Sequence, residues 1–183
     1  MNLSAALTTK RRMAIELFSG LRTKAVRGTL AQRLFGRSNA LSAFSEVLPG
    51  LSPDRRYAGV QNIRLDQITG SVGRAADFDQ DFRPLKTHLR ERWVSNYLYM
   101  EGGSLEAILV YQVGDTYYVE DGHHRVSVAC ATGRIFIEAE VWEYHLAPAI
   151  SPAQVPAEAP SRVAAECWYM APACSCTVAG QKA

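Results

Sequence analysis

The residues best suited to chemistry in this 183-residue chain are consecutive: Glu120, Asp121, Gly122, His123, His124 and Arg125. They fall where an apolar, strand-like run ends and a helical one begins. A helix start presents unpaired N–H groups and the positive end of the helix dipole, which together attract anions. Gly122 lets the backbone approach a ligand closely. Arg125 offers a planar guanidinium for two-pronged contact with phosphate. His123 and His124 donate hydrogen bonds and titrate near neutral pH. The set predicts a phosphate cradle of Gly122, His123, His124 and Arg125, with Asp121 and His123 as candidates for any catalytic role. Plainer roles compete. Asp121 can serve only as an N-cap, and Arg125 can pair with Glu120 or Asp115. The two histidines diverge by about 100° on a helix, so no metal ion is expected between them.

A second polar patch lies upstream, Ser71-Val72-Gly73-Arg74, followed by Asp77, Asp79 and Asp81. Gly73 and Arg74 can complete an anion site facing the Gly122 helix; the alternative is a loop with scattered charge. Asp66, Asp77 and Asp79 are the candidate proton acceptors near the first strand. Cys130 reads as a small core residue. Cys167, Cys174 and Cys176 are too irregularly spaced for a zinc site and read as incidental thiols.

The elements that must position these residues follow from periodicity. Residues 1–48 read as helical, with apolar positions mostly three to five apart and basic residues between them. Gly20, Gly28 and Gly36 are expected to break that stretch into shorter helices. Tyr57 to Leu65 reads as a first strand and Gly70 to Arg74 as a loop. Leu85, Leu89, Trp93 and Tyr97 suit a helix that starts at Pro84 and stops at Gly102-Gly103, with Trp93, Tyr97 and Leu98 as core. Ala107–Val113 and Thr116–Val119 form a hairpin about Gly114-Asp115. A helix runs from Asp121-Gly122 to Thr132, closed by Gly133, and Ile135–Trp142 is a last strand. The expected class is α+β: strand, helix, hairpin, helix, strand. The domain reading is a basic helical extension over 1–56, the motif-bearing domain over 57–146, and a Pro/Ala-rich disordered tail over 147–183. Pro148, Pro152, Pro156 and Pro160 recur every four residues in that tail, which forbids a sustained helix.

Charge is unevenly spread. The net +2 combines a strongly basic front with an acidic remainder. Residues 1–40 hold Lys10, Arg11, Arg12, Arg22, Lys24, Arg27, Arg33 and Arg37 against Glu16 alone. Lys10, Arg11, Arg12, Arg22, Lys24 and Arg27 are therefore DNA-contact candidates, through the phosphate backbone; a solvated basic face on a docking helix is the alternative. No apolar run reaches the length of a membrane span. The charge at the N-terminus follows a short mixed stretch rather than preceding an apolar one, so the cytoplasm is the expected compartment.

The stretch Tyr117-Tyr118-Val119-Glu120-Asp121-Gly122-His123-His124-Arg125-Val126-Ser127-Val128-Ala129, with Gly133 and Ile137–Val141 after it, resembles the ParB/sulfiredoxin-like superfamily. Ile63–Ile68 resembles the first strand of ParB N-terminal domains, and Ala107–Tyr111 the strand before the hairpin. The resemblance spans residues 58–143 and is nearest to an uncharacterised bacterial subgroup with an Asp-Gly-His-His-Arg signature. It implies three chemistries. Sulfiredoxins place a catalytic cysteine where this chain has His123, which argues against sulfinic-acid reduction. ParB proteins cradle a nucleotide triphosphate with Gly-Glu-Arg-Arg; Gly122 and Arg125 match, and no helix-turn-helix domain is legible downstream. The free serine kinases carry Asp-Gly-His-Thr-Arg, matched by Asp121, Gly122, His123 and Arg125. The resemblance thus implies a nucleotide- or phosphate-binding protein, with a nucleotide and Mg²⁺ as the cofactors, in which DNA association would come from the basic front. A phosphotransferase and a non-catalytic interaction domain are the alternatives.

Overall fold

The computed structural model describes residues 3–36, 39–103 and 106–147. Three helices cover one face of a six-stranded mixed sheet, so the chain is α+β. The long helix α1 (Leu3–Leu34) opens the chain. The short β1 (Ser42–Ala43) and one-turn α2 (Phe44–Val47) follow, then β2 (Leu51–Arg64) and β3 (Ile68–Ser71). Helix α3 (Arg90–Gly102), hairpin strands β4 (Ile108–Val113) and β5 (Thr116–Asp121), α4 (His123–Ala131) and β6 (Phe136–Leu146) complete the order. The sheet runs β1-β3-β5-β4-β6-β2. β3 pairs parallel to β1 and β5, and β4 parallel to β6, while the β4–β5 and β2–β6 pairs are antiparallel.

Strand alternation decides which side chains meet the helices. Val110, Val119, Ile137, Ala139 and Val141 join Ala14 and Phe18 of α1, Trp93 and Val94 of α3, and Val126 and Val128 of α4 in one buried core. Trp93 is fully buried and donates its indole N–H to Ser127 Oγ at 2.9 Å. Tyr97 stacks on Trp93 at 5.7 Å, and both Tyr97 and Leu98 pack on the core, as the spacing predicts. On the opposite face Phe44 and Leu51 pack against Tyr111 and Tyr118.

Several sequence expectations are corrected. Gly20 and Gly28 do not break the first helix: α1 is continuous to Leu34, and Gly36 lies beyond its end. Two internal glycines cost about 1 kcal/mol each relative to alanine, and burial of Ala14, Phe18 and Ala25 opposes that cost. The helix expected from Pro84 starts later, as a 3-10 turn over Thr87–Leu89 that leads into α3. Pro84 instead bridges Phe78, and Leu85 N–H donates to Asp77 O at 2.9 Å, so that stretch is committed to the preceding loop. Gly70 and Ser71, expected in a loop, belong to β3. The strand expected from Tyr57 is β2 and begins at Leu51, with Pro53 tolerated because β2 is a sheet edge; the short β1 precedes it.

Residues 1–148 form one unit, in which α1 shares its core with α4. The expected tail, with its prolines and Cys167, Cys174 and Cys176, lies outside the described residues apart from Ala147. No helix among the described residues is long and apolar enough to cross a membrane.

Candidate functional site

The segment Asp121–Arg125 sits where β5 hands over to α4. Gly122 occupies the N-cap at φ +99°, a left-handed conformation that side chains disfavour. A Cβ here would lie 2.5 Å from Ile108 Cγ2, so the position also demands the smallest residue on steric grounds. A glycine N-cap has no side-chain acceptor, and no side chain caps α4. The first N–H groups of the helix, at His123, His124 and Arg125, are therefore left for solvent or a ligand. Asp121 precedes the cap and does not close it. Its carboxylate, 62% exposed, takes a 2.5 Å contact from Arg125.

A recess of about 90 Å³ opens at this helix end, lined by Arg74, Arg92, Asn96 and residues 120–125. That is room for about three waters or one tetrahedral oxyanion. A second, wider hollow of about 420 Å³ adjoins it, sharing Arg92, Asn96, Asp121 and Arg125 and adding Ser95, Tyr99 and Glu106. Arg92 and Asn96 are not among the residues that the sequence motifs single out. Their i, i+4 spacing on the helix through Trp93 is the available signal, since it puts both on one face. Asn96 is itself anchored, its side-chain N–H donating to Arg92 O at 2.7 Å.

His123 is buried and built into a network. Arg74 N–H donates to Ser71 Oγ at 2.8 Å, and Ser71 stands 2.7 Å from His123 Nε2. Which of the two groups donates in that contact follows the tautomer of the ring. His124 lies beside it, 5% exposed, edge-on to Phe78 at 5.6 Å. Its Nδ1 is buried with no hydrogen-bond partner among the described residues. Burial, reinforced by the charge of Arg74, pulls both histidines down to about 4. Both are neutral at pH 7, which corrects the expectation that they titrate near neutrality.

The two predicted arginines differ. Arg125 is turned inward. It donates to Glu106 O at 3.0 Å and Ala107 O at 2.7 Å, and its remaining prong meets Asp121. The expected alternatives for that prong were Glu120 and Asp115. Arg74 reaches the recess while its Nε holds Asp77 Oδ2 at 2.9 Å. Gly73 is exposed in the loop before it and is not among the residues lining the recess.

The acidic candidates are also placed. Burial pushes the Asp77 carboxyl up, but Lys86 at 2.8 Å and Arg74 outweigh it and hold the group below the usual range. Asp79 is fully buried, and burial raises its pKa against the opposing pull of Arg83. Its Oδ1 accepts the N–H groups of Asp81 and Arg83, and Arg83 Nε stands 3.0 Å from Oδ2 as an ion pair, out of line for a hydrogen bond. Asp66 pairs with Arg64 beside a different hollow. Asp77, Asp79 and Asp81 lie in a turn-rich loop, not on one strand face.

Of the DNA-contact candidates, Arg11 pairs with Glu91 at 2.5 Å and Arg12 with Glu16 at 3.0 Å. Arg22 is half-buried, whereas Lys24 and Arg27 are exposed. Lys10 is already engaged in an interaction. Cys130 is mostly buried, and burial pushes its thiol up to about 11.

No protein-family model matches the chain. No curated protein matches it. Among solved structures, the chain is similar to a sulfiredoxin from Arabidopsis thaliana, with 20% identity and a TM-score of 0.35, over 47% of this chain and 86% of that chain. A likeness at that level carries no argument about residues or activity.

Proposed function

We propose that the protein binds a phosphorylated ligand, with one phosphate group seated at the start of α4 and a nucleotide as the ligand class. The observation that carries the reading is the uncapped helix end opening on a small recess that Arg74, Arg92 and His124 also line. Helix N–H groups and arginines are what a phosphate needs. The wider hollow along α3 gives the rest of the ligand a place to lie. Arg125 supports the cradle from beneath by tying α4 to the chain entering β4. Glu120 and Asp121 line the recess as carboxylates through which Mg²⁺ would bridge to phosphate oxygens.

Binding is favoured over phosphoryl transfer. Transfer needs a carboxylate to accept the nucleophile's proton; Asp77 is held as an anion between two cations, Asp79 is sealed in the interior, Asp121 is engaged by Arg125, and Glu120 is assigned to Mg²⁺. Titration of CTP, ATP, ADP and inorganic phosphate, each with Mg²⁺, tests the reading by thermal shift and calorimetry. We expect at least one nucleotide to bind, and Arg92→Ala, at an exposed position, to weaken it at least tenfold with the fold unchanged. Absence of binding by all four ligands would overturn the proposal.

A further inference from the structure

A wide hollow lies away from the Gly122 helix start, between α1, the Gln80–Arg83 turn and the C-terminal end of α4. We propose that it is a second binding site, for a free aliphatic monocarboxylate. The chain of the ligand would lie on the apolar floor and its headgroup would meet Arg134. At about 800 Å³ the hollow falls in the ~300–1,000 Å³ range of small-molecule sites.

The floor is apolar. Leu21 of α1, Ile68 of β3, Phe82 of the turn and Ala131 of α4 line it. Phe82 has φ +55°, the one positive φ at a non-glycine position among the described residues, yet it is 2% exposed. A bulky residue adopts that conformation only where surrounding contacts impose it. The turn that imposes it is built around the buried carboxylate of Asp79, which accepts two backbone N–H groups from Asp81 and Arg83. The aromatic wall is therefore fixed before any ligand arrives.

The rim supplies the headgroup partner. Three arginines and two aspartates line the hollow. Arg64 is answered by Asp66 at 2.6 Å, and Arg83 by Asp81 and Asp79. Arg134 is exposed and forms no ion pair among the described residues. Arg134 is thus the one arginine of the lining without a carboxylate partner among the described residues, and it is the contact offered to a single carboxylate headgroup. The carboxylates of Asp66 and Asp81 nearby weigh against a doubly charged phosphate. The opposition of the helix end to an anion is reduced by its closure. Three of the last four α4 carbonyls, at Val128, Ala129 and Cys130, are closed by the N–H groups of Thr132, Arg134 and Gly133.

The test is calorimetric titration of the full chain with decanoate, kept below the concentration at which it forms micelles, beside decanol and decylammonium. Decanoate should bind, decanol at least tenfold more weakly, and decylammonium not at all. Arg134→Glu should lower decanoate affinity at least tenfold with the melting temperature unchanged. Ala131→Trp should fill the hollow and abolish binding. Independently of whether that variant folds, decanoate should slow alkylation of Cys130, which lines the hollow, in the unaltered protein. No decanoate binding, equal binding of decanol, or an unchanged Cys130 rate at saturating decanoate would each overturn the site. Binding to phosphatidylglycerol vesicles that Arg134→Glu removes, and for which decanoate does not compete, would assign Arg134 to a lipid surface instead and overturn the proposal.

Discussion

Replacing Gly122 with alanine tests the geometry of the α4 start most directly. Two penalties act at once. A non-glycine residue held in left-handed backbone costs about 1–3 kcal/mol. The added methyl would also sit 2.5 Å from Ile108 Cγ2 and 2.9 Å from Ile108 Cβ, and Ile108 is fully buried. Overpacking of that kind costs typically about 1–3 kcal/mol. The expected loss is therefore about 2–6 kcal/mol, a large share of the ~5–15 kcal/mol of a folded domain. A loss near 3 kcal/mol would lower Tm by about 6–12 °C. Urea unfolding of Gly122→Ala, Ile108→Ala and the double variant separates the two terms. Ile108→Ala should itself cost about 2–5 kcal/mol through the cavity it leaves. The double variant should be more stable than the sum of the singles predicts, because the methyl then has space. A loss below about 0.5 kcal/mol in Gly122→Ala would refute the reasoning, and strict additivity would refute its steric half.

Other outcomes follow from the same contacts. Arg125→Ala, which strips two carbonyl contacts, one exposed and one half-buried, should destabilise by about 1–2 kcal/mol. Asp121→Asn should cost less than about 1 kcal/mol because that carboxylate is 62% exposed; the reverse ordering in urea melts would contradict the clamp. The histidines give a pH dependence. Their folded pKa values of about 4 lie below the ordinary value of 6.5, so the unfolded chain binds more protons between those limits. Their stabilisation is complete above pH 6.5 and is lost as the pH falls toward 4. The urea midpoint should fall over that window more steeply than in His124→Gln, and equal slopes would refute neutral burial. Removing residues 1–40 should abolish cooperative unfolding and the near-UV circular dichroism signal, since Phe18 and Ala14 belong to the common core. A folded truncation would show that α1 is dispensable. DNA binding through this helix is accordingly to be tested by Lys24→Glu and Arg27→Glu rather than by deletion.

What was legible in the sequence was mostly local. The β4–β5 hairpin, α4 and β6 carry their own turn residues and apolar spacing, and their positions emerge within a few residues. Trp93, Tyr97 and Leu98 announce a packed helix face because four-residue spacing is visible without the partners it packs on. β1 and β3 were illegible for the converse reason. They are two and four residues long, and their pairing is parallel and non-local. Gly70 looks like a loop residue until the Tyr118 ring and Ser42 O are seen crowding its Cα. At the site, residue types were legible and their orientations were not. Nothing in the string Asp121–Arg125 shows that Arg125 points inward to Ala107 O while Arg92 of α3 reaches the recess. Nor does spacing reveal burial, which is what removes the histidine charges.

The missing side-chain cap on α4 has a thermodynamic side. An N-cap acceptor is commonly worth about 1 kcal/mol over alanine and a few tenths over glycine, and this helix, with Gly122 at its cap, goes without one. Whatever supplies the missing acceptor stabilises the fold and occupies the site in a single event, so the two quantities are linked. A ligand at one hundred times its Kd would raise the unfolding free energy by about 2.7 kcal/mol. The melting temperature of the unaltered chain is thereby a direct readout of occupancy, and it serves for any small anion without a label and without an assay of turnover.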